Sequence, residues 1–543
     1  MSVVTHASQE AEPTGSRLDR WFARVVNSPA RLRLYDWGLP TLVTVVAAFA
    51  RLWALGDPHS LVFDETFYVK DAWTLSHLGW ESNWPSNFDP KFAAGDVNAY
   101  TTQPEFVAHP PLGKWMIALG MLAFGADNTF GWRVSTAVVG ILSVVLIMLI
   151  AKRLFRSTLI AALAGLIMAI DGDAIVMSRV AILDNSVMFF GLLGFGAILL
   201  DRSWHEKRLA AWVAAQRARG VPLGWGPWMW WRPWLIASGI LFGLCAGVKW
   251  SGFYFLAFFA VYVVLVDVLA RRRAGLRYWP EAGILKGGIV AFVLMVPIAF
   301  ISYVATWTGW LLNRGGYFRD YVQTTADAKA TGAWSWVPNW AQDLWHYQVE
   351  MYQYSINLHT PHPYQSNPLT WLLMLRPTSM YYVGTDYGVD GCTSAGGCSS
   401  AITGLGNPII WWVGTACIIY LIYRLIRYRD WRHGLILAGL AAGYLPWMLY
   451  TGRTIFTFYS IAFAPYLYLA IAATFAIIIR RPTSPSYERT RGLNWLLVFV
   501  IVIIVVSIFF FPIWSGIRIP FWYWQIHMWI QNFPTPIGTI GWI

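Results

Sequence analysis

Leu61-Val-Phe-Asp64-Glu65-Thr-Phe-Tyr-Val-Lys70 sets two adjacent carboxylates a few residues beyond the first long apolar stretch, which runs from about Pro40 to Leu55. Ionisable groups at a bilayer boundary are costly to hold there and tend to mark function. The structural alternative is a solvated loop start in which Asp64 or Glu65 pairs with Arg51 or Lys70. The rest of the chain decides between the two.

Of 543 residues, 57% are hydrophobic and only 13% charged, against about 25% charged in an average soluble domain. The chain reads as an integral membrane protein without a cleavable signal peptide, its first apolar run serving as an anchor. The 34 tryptophans gather near segment ends, as interfacial aromatic belts do. Eleven apolar spans are expected, at about 40–55, 131–151, 157–171, 184–200, 235–249, 252–270, 284–307, 408–426, 433–450, 459–479 and 494–514. Leu112 to Phe124 is too short to cross and is expected to lie at the interface or against the bundle.

With the N-terminus inside, the connections that fall inside carry 27 of the 40 Lys and Arg. The net charge of +12 is therefore an orientation signal and not a nucleic-acid footprint. This partition gives a cytoplasmic segment 1–38, spans one to seven within 39–307 with a first outer loop at 56–130, a second outer loop at 308–407, spans eight to eleven within 408–514, and an interfacial outer tail 515–543. The outer loops are expected to contain interfacial helices, and large loops on one face of a bundle usually carry the work. Cys245 and Cys417 read as core thiols. Cys392 and Cys398 can close a short disulfide if their Gly/Ser-rich loop faces an oxidising compartment.

No Walker loop, Gly-x-Ser-x-Gly elbow or metal-type His/Cys spacing occurs, so no metal ligands are assigned, and a divalent requirement stays open. Asp171-Gly-Asp173 imitates a nucleotide-sugar motif but sits at the outer end of a span, where nucleotide sugars are absent. Several polar residues share the outer face with Asp64 and Glu65. His109-Pro-Pro-Leu-Gly-Lys114 opens the interfacial segment, with Lys114 able to reach a headgroup phosphate. Arg179 and Asp184 open the fourth span, as an ion pair or with Arg179 as a phosphate clamp. Lys249 lies between spans five and six, and Arg453 follows span nine. Each cation alone reads as a snorkelling end-cap. Three at one depth beside an acidic pair point to an anionic headgroup. A lipid-linked phosphosugar would set its phosphate on Arg179, Lys249 or Arg453, while Asp64 takes a proton from an incoming hydroxyl.

FDETFYVKDAW (63–73), VAHPPLGKW (107–115), SRVAILDNS (178–186), GVKWSG (247–252), HTPHPYQSNPLTWLLMLRP (359–377) and GRTIFTFYSIAFAPYL (452–467) together resemble the motifs of protein O-mannosyltransferases, in the family's order, from about residue 38 to 480. The resemblance implies an all-α GT-C membrane fold. It also implies inverting transfer of mannose from polyprenyl-phosphate mannose to Ser or Thr of secreted proteins at the outer face of the cell membrane. By resemblance Asp64 is the base and Glu65 supports donor or acceptor. Arg179, and more weakly Lys249 and Arg453, bind the donor phosphate. His109, Lys114, Asp184, His362 and Tyr364 fall in donor or acceptor motifs, and His359 has an acceptor or structural role. Implied partners are the lipid donor, a Ser/Thr-bearing protein, membrane lipids and the secretion translocon. The second outer loop is too short for the β-trefoil of eukaryotic members, and Phe458-Tyr459 stands where many relatives show His-Tyr, so the chain looks like the actinobacterial branch. Competing readings are another GT-C transferase with a glycan or lipid acceptor, and a lipid or sugar transporter. The transporter would place its polar residues near the bilayer midplane, often with inverted repeats.

Overall fold

The computed structural model describes residues 15–543; the first fourteen residues of the expected cytoplasmic segment lie outside the described residues. Sixteen helices of eight residues or more order the chain: α1 (Arg17–Val25), α2 (Pro29–Leu52), α3 (Glu65–Leu78), α4 (Leu112–Phe124), α5 (Thr129–Phe155), α6 (Thr158–Ile170), α7 (Gly172–Arg179), α8 (Asp184–Ala218), α9 (Pro233–Val248), α10 (Gly252–Ala274), α11 (Trp279–Thr306), α12 (Asn339–Ile356), α13 (Pro408–Tyr428), α14 (Trp431–Tyr444), α15 (Ala464–Ile478) and α16 (Ser486–Ser515).

Each expected apolar span falls on a helix. Six of these helices are long and apolar enough to cross a bilayer, or seven when α6 and α7, bent by 59°, count as one span. By length and hydropathy alone, the described residues thus single out six or seven of the eleven expected spans. The bend also moves a boundary: Ser178 and Arg179 end α7 instead of opening the fourth span. Asp171 caps α7, and its carboxylate accepts hydrogen bonds from Tyr468 (2.8 Å), Trp411 (3.1 Å) and the backbone of Asn407 (2.8 Å). Asp173 accepts from Ser460 at 3.2 Å. The Asp-Gly-Asp sequence therefore fixes a helix break to α13 and α15.

Residues 464–475 of α15 are buried on every side, which makes it the axis of the bundle. Around it, α9 meets α11 through Gly239, Gly243 and Gly247. A Cβ at Gly243 would collide with the Ala299 backbone, and one at Gly247 with Thr306. Small residues four apart let two backbones approach closely, which is how helices associate in lipid.

The connection before α13 and the chain after α16 depart from an all-α reading. Strands β1 (Thr378–Thr385) and β2 (Cys398–Gly404) form an antiparallel hairpin in register Thr378 to Gly404, and β3 (Arg518–Pro520) pairs with the first three residues of β2. Cys392 and Cys398 are joined by a disulfide. Between α2 and α5, α4 packs against α3 and α5 and so becomes part of the bundle.

Candidate active site

The site is built around the first turn of α3. Phe63 lies in the left-handed region (φ 51°), a costly conformation for a bulky residue. Its ring meets Phe456, Phe458 and His362 edge-on at 5.6–6.1 Å. Asp64 is the N-cap of α3. An aspartate there normally accepts a backbone N–H of its own helix, yet the Asp64 carboxylate makes no such bond. Glu65, the first residue of α3, reaches back instead: its Oε2 accepts the N–H of Val62, in the turn that leads into the helix, at 2.9 Å.

The two neighbouring carboxylates have opposite surroundings. Glu65 is fully buried. Its Oε1 accepts from Arg133 Nε and the Ala181 N–H, both at 2.8 Å, and its Oε2 accepts from Arg133 Nη2 at 2.8 Å. Arg133 also donates to the carbonyls of Leu55, Pro58 and Ser60. This one ion pair ties α3, α5, the loop after α2 and the α7–α8 junction together. Neither Arg51 nor Lys70 pairs with the acidic residues: Arg51 is bonded to the Ser178 hydroxyl and to carbonyls, and Lys70 to Asp89.

Asp64 is half-buried and left for other work. Burial raises its pKa to about 6, against the opposing pull of the Lys249 ammonium and, more weakly, the Tyr68 hydroxyl. A carboxylate tuned towards neutrality is suited to general-base work.

The expected cations divide. Lys249 pairs with Asp184 at 2.7 Å and lies over the rings of Tyr459 (5.2 Å) and Tyr68 (6.0 Å). Arg453 has no hydrogen-bond or ion-pair partner for its side chain among the described residues, and its buried Nε is unsatisfied. Arg179 donates to the carbonyls of Trp53 (2.7 Å), Ala54 (3.1 Å), Ala50 and Arg51 (3.3 Å each), closing the end of α2. Lys114 does not snorkel: it is buried, bonded to Glu81 at 2.5 Å and to Asp71 at 3.4 Å.

His109 sits 6.1 Å from the Tyr68 ring. Burial, with Lys249, Lys114 and Arg453 nearby, holds its pKa well below the usual range, so it is neutral. The long connection 308–407 reaches the site through backbone pairing. Thr454 N donates to Leu358 O, Ser366 N to Ile455 O, and the His359 ring nitrogen lies 2.8 Å from Gly452 O. That docking sets His362 4.9 Å from Phe456. Tyr364 stands further off, its ring under the Arg376 guanidinium.

Three contributors have no role assigned in the sequence reading. Tyr68 lies one helical turn after Asp64, a spacing that could have revealed it. Arg133 was hidden as the third residue of an apolar span. Tyr459 had no signal beyond its place in a motif. Among the described residues no group of three His, Cys, Asp or Glu side chains could hold a metal ion.

Residues 109–313 match the family described as dolichyl-phosphate-mannose-protein mannosyltransferase, and residues 340–533 match the C-terminal four-transmembrane region of protein O-mannosyltransferase. The polyprenol-phosphate-mannose–protein mannosyltransferase of Mycolicibacterium smegmatis (strain MKD8) is 32% identical over 510 residues, 92% of this chain and 93% of that protein. This chain belongs to the protein O-mannosyltransferase family. The protein of the same description from Mycobacterium tuberculosis (strain CDC 1551 / Oshkosh) is also 32% identical, over 92% of each chain. A chain of the S. cerevisiae protein O-mannosyltransferase Pmt1-Pmt2 complex, solved with its sugar donor, superposes with a TM-score of 0.67 over 97% of this chain and 95% of that one, at 14% identity. At that identity the likeness speaks for the fold, which is the GT-C fold of the protein O-mannosyltransferases.

Proposed function

We propose that this chain is a mannosyltransferase that moves mannose from polyprenyl-phosphate mannose to Ser or Thr hydroxyls of secreted proteins. The observation that carries the mechanism is the Asp64 carboxylate, which stands at a helix start without capping it, beside Lys249, while Arg453 is close enough to act on the neighbouring Tyr459 and His109. Asp64 accepts the hydroxyl proton as the acceptor oxygen bonds to the anomeric carbon. The bond from that carbon to the phosphate oxygen breaks, its electron pair leaves with the phosphate, and the configuration inverts. Arg453 meets the phosphate because its guanidinium has no other partner among the described residues, and Lys249 adds charge from its pair with Asp184. Glu65 and Arg179 act as positioning residues, since their polar atoms are engaged within the protein. His362 lies where an acceptor chain would pass over Phe63 and Phe456.

The site faces the outside of the cell membrane in this reading, with the N-terminus in the cytoplasm and the basic connections inside. An acceptor emerging from the secretion translocon would meet it on that side. The test is transfer of labelled mannose from polyprenyl-phosphate mannose to a Ser/Thr-rich peptide by the purified protein. Label arriving covalently on the peptide supports the reading. Donor binding without transfer points to a glycan or lipid acceptor instead.

A further inference from the structure

A second concavity lies at the opposite end of the bundle. On α5, 19 residues separate Arg133 from Lys152, and on α8 the same number separates Asp184 from Ser203. At about 1.5 Å per residue each distance is roughly 30 Å, the thickness of a bilayer core. The cavity, of about 870 Å³, opens between the far end of α5, the middle of α8 and the start of α14.

Five cations line it: Lys152, Arg153, Arg156, Lys207 and Arg432. Lys152 is paired with Asp36 at 2.9 Å and Arg432 with Asp430 at 2.8 Å. The one carboxylate in the wall, Glu206, is taken by Arg202 at 2.8 Å. Arg153, Arg156 and Lys207 have no acidic partner among the described residues. Orientation by positive charge explains basic residues along inner connections, but it does not require separate segments to converge on one hollow.

The floor is apolar, made by Leu149, Leu154 and Leu199, with Trp431 at the side. Leu149 continues an exposed apolar face of α5 through Leu142 and Val138, whose spacings of seven and four keep them on one side of the helix. A basic mouth above an apolar track along a membrane helix has the shape of a phospholipid, whereas a soluble anion would leave the track unused.

We propose that this cavity binds an anionic glycerophospholipid, its phosphodiester held by Arg153, Arg156 and Lys207 and an acyl chain lying along Leu149, Leu142 and Val138. The site is distinct from the transfer site and does not depend on the function proposed for it.

The full chain is reconstituted in vesicles of phosphatidylglycerol and phosphatidylcholine, extracted in detergent, and weighed by native mass spectrometry. Wild type is expected to carry phosphatidylglycerol in preference to phosphatidylcholine. Arg153→Ala, Arg156→Ala and Lys207→Ala combined should weaken retention about fivefold per charge, roughly a hundredfold in all. The charge-keeping set Arg153→Lys, Arg156→Lys and Lys207→Arg should retain the lipid. Equal retention by wild type and the alanine variant overturns the site, as does absence of any preference in wild type. Displacement of the lipid by inorganic phosphate overturns the lipid assignment in favour of a soluble anion. If the alanine variant does not fold, the wild-type preference and the phosphate competition decide the matter.

Discussion

Glu65 and Arg133 meet in a two-pronged ion pair, 2.8 Å on each side, buried next to Asp64 in the chain. Removing one member leaves the other charge stranded out of water, which costs about 3–5 kcal/mol in buried pairs. Glu65→Ala should therefore lower the unfolding midpoint sharply, and Glu65→Gln less so, because an amide can still accept from the guanidinium. Thermal unfolding in detergent, followed beside activity, checks this. A Glu65→Ala protein as stable as wild type would remove the positioning role.

Asp64→Asn tests the other carboxylate. Its side chain closes no cap and, among the described residues, holds no ion pair, so the fold and donor binding should survive. Transfer should fall by about 10²- to 10⁴-fold, the usual contribution of a general base. Single-turnover transfer with bound donor measures it, and near-normal turnover would reassign the base.

The pH profile follows from the same residue. Burial raises the Asp64 pKa to about 6, so the carboxyl is protonated and inactive as a base below that value. The rate of transfer should climb as pH rises through about 6 and level off above it. The stability linkage has the opposite sign: a raised folded-state pKa favours the protonated form, so Asp64's contribution to stability is present at low pH and is lost as pH rises through about 6. A rate that is flat across this window, measured on kcat/KM, contradicts the assignment.

Arg453 and Arg179 should separate by readout. Arg453→Ala removes a guanidinium without a partner among the described residues and should weaken donor binding by about 10- to 100-fold with the unfolding midpoint unchanged. Arg179→Ala uncovers the carbonyls at the end of α2 and should lower the midpoint. Binding of polyprenyl-phosphate mannose in parallel with thermal unfolding distinguishes them. A stable Arg179→Ala protein that cannot bind donor would return Arg179 to the phosphate.

Orientation can be read with single cysteines. Cys245 and Cys417 are buried and the other two are bonded to each other, so the background is low. A cysteine replacing Tyr387, 67% exposed in the loop between β1 and β2, should react with an impermeant maleimide on intact cells. One replacing Lys207 should react only after permeabilisation. The reverse pattern would invert the topology.

The acidic pair and the apolar stretches were legible because both are local: adjacent carboxylates and long hydrophobic runs need no knowledge of the fold. What escaped was set by contacts between distant segments. The partner of Glu65 is 68 residues away in a stretch that reads as lipid-facing. Val180-Ala-Ile-Leu183 looks like the opening of a span, yet it is the short connection after α7 whose Ala181 N–H completes the Glu65 shell. Lys114 reads as a snorkelling lysine until Glu81 and Asp71 are folded against it. The small sheet was hidden because its third strand comes from beyond the last apolar helix.

That third strand gives the chain an order of assembly. β3 follows α16, and the Arg376 guanidinium, just before β1, donates to Asn532 Oδ1 at 3.0 Å and to the carbonyl of Ile543 at 2.8 Å. The Arg376 carbonyl in turn accepts from Thr457, within the segment that holds Phe456 and Phe458 against Phe63. During synthesis, the hairpin leaves the ribosome long before the residues that clasp it. The face bearing Asp64 cannot reach its final shape until α16 has been inserted and the chain beyond it has folded back, so a half-made protein in the membrane would hold Asp64 without the wall that confronts it.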